Sequence, residues 1–394
     1  MGKRRNEPTR LPTSLIHHPY EPPAGFAAPQ PGVHKASTVI FKDTAAMRAR
    51  TWKEKVGYTY GLHGTPTTFT LEERIATLEG GTQTLLLPSG LAAIALVDVS
   101  LLKSGDEVLL PNNVYNPSRE LARHELAQWG IAHRYYDPMD PAALAAAIGA
   151  ATRLVWIEPP GSVTMEFPDV PALAAIARAK GVLVALDNTW GAGLAFRPFD
   201  FGIDISMHAL TKFPSGGGDV LMGAVTTRDQ ALHLQLKMTH MRMGWGVGAN
   251  DAETVLRSLP SMEVRYRAQD RSARALAAWW SARPEVTQVL HPALPSSPGH
   301  ANWARLCRGG GCLFSVVFDT RYTSAQVDAF VDALALFRIG YSWAGPMSLA
   351  VPYDVATTRP QSGIRGPLVR FSVGLEAVED LIADCEQALA VISR

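Results

Sequence analysis

"TLLLPSGLAAIALVDVSLLKSGDEVLLP", residues 84–111, decides the reading of the fold. An apolar run closes at Pro88, and the small turn Ser89-Gly90-Leu91 opens an Ala- and Leu-rich helix. A polar turn through Gly105 then leads to a second apolar run. The same alternation continues outward. Helix "SRELARHELAQW" (118–129) precedes strand "IAHRYYD" (131–137), and helix "PAALAAAI" (141–148) precedes "RLVWIEPP" (153–160). Helix "PALAAIARAKG" (171–181) precedes "VLVALD" (182–187). Strands that are apolar throughout and separated by helices predict a mostly parallel sheet covered on both faces. Ligands of such sheets sit at the carboxyl ends of the strands.

On the amino-terminal side, "FTLEERIATLEGG" (69–81) predicts a helix with a Thr70–Glu73 capping box and a Gly80-Gly81 stop. Residues 1 to about 37 are rich in Pro and polar groups and predict an extended arm, either a free tail or a strap on a neighbouring subunit. Beyond residue 255 the rhythm weakens. A long helical stretch (252–283) leads to strands near "GCLFSVVFD" and "LVRFSVGLE" and a final helix "EDLIADCEQALAVI". The expected division is an arm over 1–65, a ligand-binding α/β domain over 66–256 and a smaller α+β domain over 257–394.

Composition narrows the function. The 394 residues carry 37 basic and 36 acidic groups, a net charge of +1, which leaves no footprint for nucleic acid or an anionic membrane. No apolar run reaches the roughly 18 residues of a membrane helix. The basic start has no apolar segment behind it, so it does not read as a secretory signal. Cys307, Cys312 and Cys385 show no metal spacing, and an odd count argues against a disulfide framework. The 11 histidines are scattered without ligand spacing. A cytoplasmic protein acting on a small molecule is expected.

Three polar features fall at strand ends. Ser89-Gly90-Leu91 can turn free amides toward a phosphate, or be an ordinary strand-to-helix turn. Asp187 closes an apolar strand, as a buried carboxylate needing a cation or as a cap for the next segment. Lys212, in "ALTKFPSGGGD" (209–219), is either a solvated charge or a reactive amine. No GxGxxG or GxxxxGK[ST] occurs, so a nucleotide reading gains nothing. Together the features fit pyridoxal phosphate: an amide cradle for the phosphate, a carboxylate for the ring nitrogen and an amine for the aldehyde. Tyr115 adds an aromatic face, and Gly216, Gly217 and Gly218 would let the chain approach the cofactor.

From about residue 33 onward the chain resembles the Cys/Met-metabolism family of pyridoxal-phosphate enzymes. The likeness is carried by "YGLHGTPTTFTLEERIATLEGG", "PSGLAAIA", "EPPGSVTMEFPDVPAL", "LDNTWGAG", "FGIDISMHALTKF", "YSWAGPMSL" and "LVRFSVGLE". Gly161-Ser162 and Tyr341–Gly345 are similar to the β-lyase form rather than the γ-acting one. The resemblance implies an aminotransferase-type fold and α,β-elimination on a cysteine S-conjugate, with cystathionine foremost. A broader S-conjugate lyase, a γ-acting relative and a non-catalytic cofactor-binding protein remain as alternatives. It implies that Gly90, Leu91 and Thr211 hold the phosphate, Asp187 the ring nitrogen, Tyr115 the ring face and Lys212 the aldehyde. Lys212 and Tyr115 would move protons, while Arg370, Tyr341, Ser342 and Trp343 would hold the substrate. Tyr60 would reach the phosphate of an adjacent subunit in a dimer or a dimer of dimers. Where the family has an Arg after that Tyr, this chain has Leu62, so a charged contact of ~1.5–3 kcal/mol is expected to be missing.

Overall fold

The computed structural model describes residue 25 and residues 28–392. Residues 1–24, 26 and 27 of the expected arm, His17 and His18 among them, lie outside the described residues. Seven strands form the larger sheet: β1 (Gln83–Leu87), β2 (Glu107–Pro111), β3 (Ala132–Tyr136), β4 (Thr152–Ile157), β5 (Leu183–Asp187), β6 (Ile205–His208) and β7 (Gly223–Thr227). Their order is β1-β7-β6-β5-β4-β2-β3. Strands β3, β2, β4, β5 and β6 run parallel, while β7 is antiparallel to both β1 and β6. The reversal follows from the connection. Residues 209–222, which carry Lys212, contain no helix, whereas a parallel return usually runs through one. The fold class expected from the sequence stands, with β7 as the departure.

The crossover helices show why the sequence folds this way. Helix Val170–Ala179 buries Val170, Leu173, Ala174 and Ala177, spaced as one helical face, against the sheet. The helix preceding β1 spans Pro66–Glu79 rather than starting at Thr70. Its capping box is Thr65 with Thr68, because Pro66 is pre-set for the first helical position. Thr70 lies inside, its hydroxyl donating to Pro66 O at 2.7 Å. Gly80 ends the helix at φ 76, as the Gly-Gly stop predicts.

The smaller sheet has the order β10-β11-β12-β9-β8. Its strands are β8 (Val286–Leu290), β9 (Leu313–Phe318), β10 (Arg338–Ile339), β11 (Leu349–Tyr353) and β12 (Leu368–Ser372), antiparallel except β10 with β11. Helices Met262–Ser281 and Val378–Leu389 supply apolar faces to its core. Trp280 is fully buried there, edge-on to Phe318 and Phe330. Each such ring contributes about 1.5–3 kcal/mol by leaving water.

Candidate functional site

The polar groups collect where the parallel strands end. Lys212 follows β6 in a tight turn, its N–H donating to Ala209 O at 3.1 Å and its carbonyl accepting from Gly216 N at 2.9 Å. The side chain reaches toward the smaller sheet. Its Nζ donates to Ser342 Oγ at 2.9 Å and lies 5.3 Å over the Trp343 ring. Burial, and then the charge of Arg370, lower its pKa to about 8.

Gly216, the first of the glycines after Lys212, has a reason the sequence did not disclose. Gly216 sits at φ 64, and a Cβ there would fall 2.0 Å from Arg265 Nη1. Arg265 in turn donates to Phe213 O at 3.0 Å, so this glycine makes room for an arginine of the chain itself. Thr211 is also engaged internally. Its hydroxyl donates to Met222 O at 3.2 Å and accepts from Met222 N at 3.1 Å.

Asp187 ends β5, and one of its oxygens accepts the Thr189 N–H at 2.9 Å. Burial raises its pKa, against the opposing pull of Thr189, His208 and Lys212. Beside it stands a carboxylate the sequence reading missed. Ile157 of β4 pairs with Leu186 of β5, so Glu158 and Asp187 follow side by side at the strand ends. Burial and then the Asp187 charge push the Glu158 carboxyl well above its ordinary range. Its Oε2 accepts the main-chain N–H of Tyr115 at 2.7 Å. The signal was present, since Glu158 closes "RLVWIE" just as Asp187 closes "VLVALD".

Tyr115 is 43% exposed. Burial raises its pKa, as do Asp187, Glu158 and Tyr353, while Arg370 lowers it. Helix Gly90–Leu101 opens on the same side. Ser89 Oγ accepts the Ala92 N–H at 3.0 Å, and Ser89 O that of Ala93 at 3.1 Å. The amides of Gly90 and Leu91 have no acceptor among the described residues. A Cβ on Gly90 would come within 2.7 Å of the Ala209 Cβ, so the helix start abuts the chain leading to Lys212.

Arg370 lies on β12, 7% exposed. Its Nη2 donates to Tyr341 O at 2.7 Å, its Nε has no partner, and it forms no ion pair among the described residues. Ser342 and Trp343 meet Lys212, but the Tyr341 side chain is 78% exposed. Tyr60 is separate: it lies edge-on to His63 and has no hydrogen bond to Lys212, Asp187 or Tyr115 among the described residues. Leu62 lines a small cavity with Trp52, Lys237 and His240.

Among the described residues no group of three or more His, Cys, Asp or Glu could hold a metal ion, and no helix is long and apolar enough to cross a membrane.

Comparison with known proteins converges on one family. A family model described as Cys/Met metabolism PLP-dependent enzyme matches residues 12–390. The chain is 38% identical to a cystathionine beta-lyase of Bordetella avium, over 95% of this chain and 96% of that one. It is 35% identical to the cystathionine beta-lyase MetC of Escherichia coli K12, over 97% and 99%. Cystathionine gamma synthase from Xanthomonas oryzae pv. oryzae, solved with aminoacrylate and cysteine, superposes with a TM-score of 0.87. That structure is 30% identical, with 98% of this chain and 99% of that chain covered.

Proposed function

The chain belongs to the Cys/Met metabolism PLP-dependent enzyme family, and from that premise we propose that it splits L-cystathionine by α,β-elimination into homocysteine and aminoacrylate, which water hydrolyses to pyruvate and ammonia. The observation that carries the reading is the Lys212 amine, poised against Ser342 with its pKa lowered to about 8, beside the unpaired cation of Arg370.

The residues fit pyridoxal phosphate. Free amides at Gly90 and Leu91, a buried carboxylate at Asp187, an aromatic face at Tyr115 and a readily neutralised amine at Lys212 match its phosphate, ring nitrogen, ring and aldehyde. When bound, the cofactor supplies an electron sink for the carbanion at Cα. The rest is work for the chain. Arg370 holds the substrate α-carboxylate through charge-assisted hydrogen bonds. Lys212, as a free base, accepts the Cα proton, and the electron pair left behind expels homocysteine thiolate from Cβ. Ser342 holds the amine in position through its Oγ. Thr211 is the weakest member of the proposed phosphate set, its hydroxyl proton being committed to Met222 O. We extend the proposal to an enzyme of at least two subunits, with Tyr60 serving the neighbour's phosphate.

One observation favours a broader S-conjugate lyase. Tyr341 is 78% exposed and leaves the outer part of the pocket open. Product analysis on L-cystathionine and a series of S-alkyl cysteines tests both. Homocysteine with pyruvate is expected, and pyruvate from the alkyl series would widen the substrate class. Cysteine with 2-oxobutyrate would reassign the enzyme to γ-elimination, and no product at all would remove the lyase reading.

A further inference from the structure

We propose that Tyr353 is a positioning residue for the carboxylate site: its ring face fixes the plane of the Arg370 guanidinium. The inference rests on the reading of Arg370 as the group that holds the substrate α-carboxylate.

The register of the smaller sheet brings the two together. Val351 of β11 pairs with Arg370 of β12, and Tyr353 pairs with Leu368. Residues two apart on a strand share a face, so Tyr353 and Arg370 are diagonal neighbours on one side of the sheet, within reach for long and aromatic side chains. The side chains take up that contact, with Arg370 Cζ lying 5.5 Å from the Tyr353 ring centroid.

Arg370 needs such a partner. It is buried, no Asp or Glu pairs with it among the described residues, and its nearest acceptors are the main-chain carbonyls of Tyr341 and Ser342 at 2.7 and 3.4 Å. Its Nε is unsatisfied. Burial lowers its pKa, and Tyr353 heads the groups that oppose this. A π face attracts a desolvated guanidinium while leaving its in-plane N–H donors free. Bidentate grip of a carboxylate depends on that plane being held, because both N–H bonds must point together. The two carbonyls anchor one nitrogen, and the ring face restricts rotation about that anchor. The Tyr341 ring stands 6.5 Å from that of Tyr353 at 69°. An aromatic residue closing a strand reads from sequence as ordinary core, which hides this role.

The test compares wild type, Tyr353→Phe and Tyr353→Leu holoenzymes by calorimetric titration with propionate and, separately, with n-propylamine. Propionate carries the carboxylate, whereas propylamine lacks it. Tyr353→Phe keeps the ring and should bind propionate within about twofold of wild type, while Tyr353→Leu should bind it about tenfold more weakly. Propylamine binding should be equal in all three. KM for L-cystathionine should rise with the propionate Kd in Tyr353→Leu, with kcat within about threefold. Unchanged propionate binding in Tyr353→Leu overturns the proposal. So does equal weakening of the Phe and Leu variants, or equal weakening of both probes, which would indicate general disruption of the pocket. If all three proteins fail to turn over cystathionine yet the propionate pattern holds, the lyase reading falls and the positioning role stands.

Discussion

Lys212 Nζ donates to Ser342 Oγ at 2.9 Å, so an amine carried by the larger sheet meets a hydroxyl from a loop of the smaller one, 130 positions away. This contact sets where the amine stands, and its surroundings set when it is a free base.

The first prediction concerns pH. Burial and then Arg370 lower the Lys212 pKa from 10.5 to about 8. Because the folded state releases this proton more readily than the unfolded chain, the group costs stability in full below pH 8, and that cost disappears as pH rises toward 10.5. Attachment of pyridoxal phosphate to the apoprotein, followed by stopped-flow absorbance, should accelerate with a midpoint near pH 8. In Arg370→Leu the midpoint should move upward, since one lowering influence is gone. A midpoint that does not move would count against this account.

Gly90→Ala should damage cofactor binding more than stability. The new methyl would stand 2.7 Å from the Ala209 Cβ and push the helix start away from the segment bearing Lys212. Equilibrium dialysis should give a cofactor Kd raised about tenfold, equivalent to about 1.4 kcal/mol. Gly149→Ala, whose Cβ would meet only an Arg134 nitrogen at 3.8 Å, is the control and should leave it unchanged.

Glu79 should be a pillar of stability. It is 0% exposed and accepts from Asn188 Nδ2 at 2.8 Å and Ser206 Oγ at 2.6 Å, with His208 Nδ1 also at 2.8 Å. Glu79→Ala leaves these groups buried without an acceptor, and urea unfolding should show a loss of about 3–5 kcal/mol. Glu79→Gln preserves shape and one acceptor and should lose about 1–3 kcal/mol. Equal losses would mean that charge, not shape, matters.

Leu62→Arg should slow cofactor loss. If the resemblance is right about Tyr60 and its neighbour, an added guanidinium supplies a charged phosphate contact of ~1.5–3 kcal/mol. Dialysis against phosphate-free buffer measures retention, and loss as fast as wild type would argue that position 62 does not face the phosphate.

Much of this was legible in the sequence where one physical signal dominated. The centres of strands β2, β4 and β5 (Val108–Leu110, Leu154–Ile157 and Val184–Leu186) are buried on both faces and read as unbroken apolar runs. Strand β7, "GAVTT", is equally buried but built from small residues and threonines, and Thr226 hides its hydroxyl by bonding with that of Thr84. Periodicity cannot see such a pairing. Edge strands β8 and β10 are partly exposed and carry no clean pattern. Asp187, Lys212 and Arg370 stood out as charges among apolar neighbours. Glu158 stood out equally but was passed over, and Tyr353 could not stand out because its role depends on strand register. The purpose of Gly216 required knowing that Arg265, far along the chain, folds back onto it.

The division of labour between the sheets has a mechanical corollary. The amine rides on the seven-stranded layer and the guanidinium on the five-stranded one. A small molecule engaging both therefore acts as a rivet across the seam, and its occupancy should be felt as resistance of the whole chain to melting rather than as a local stiffening of one loop.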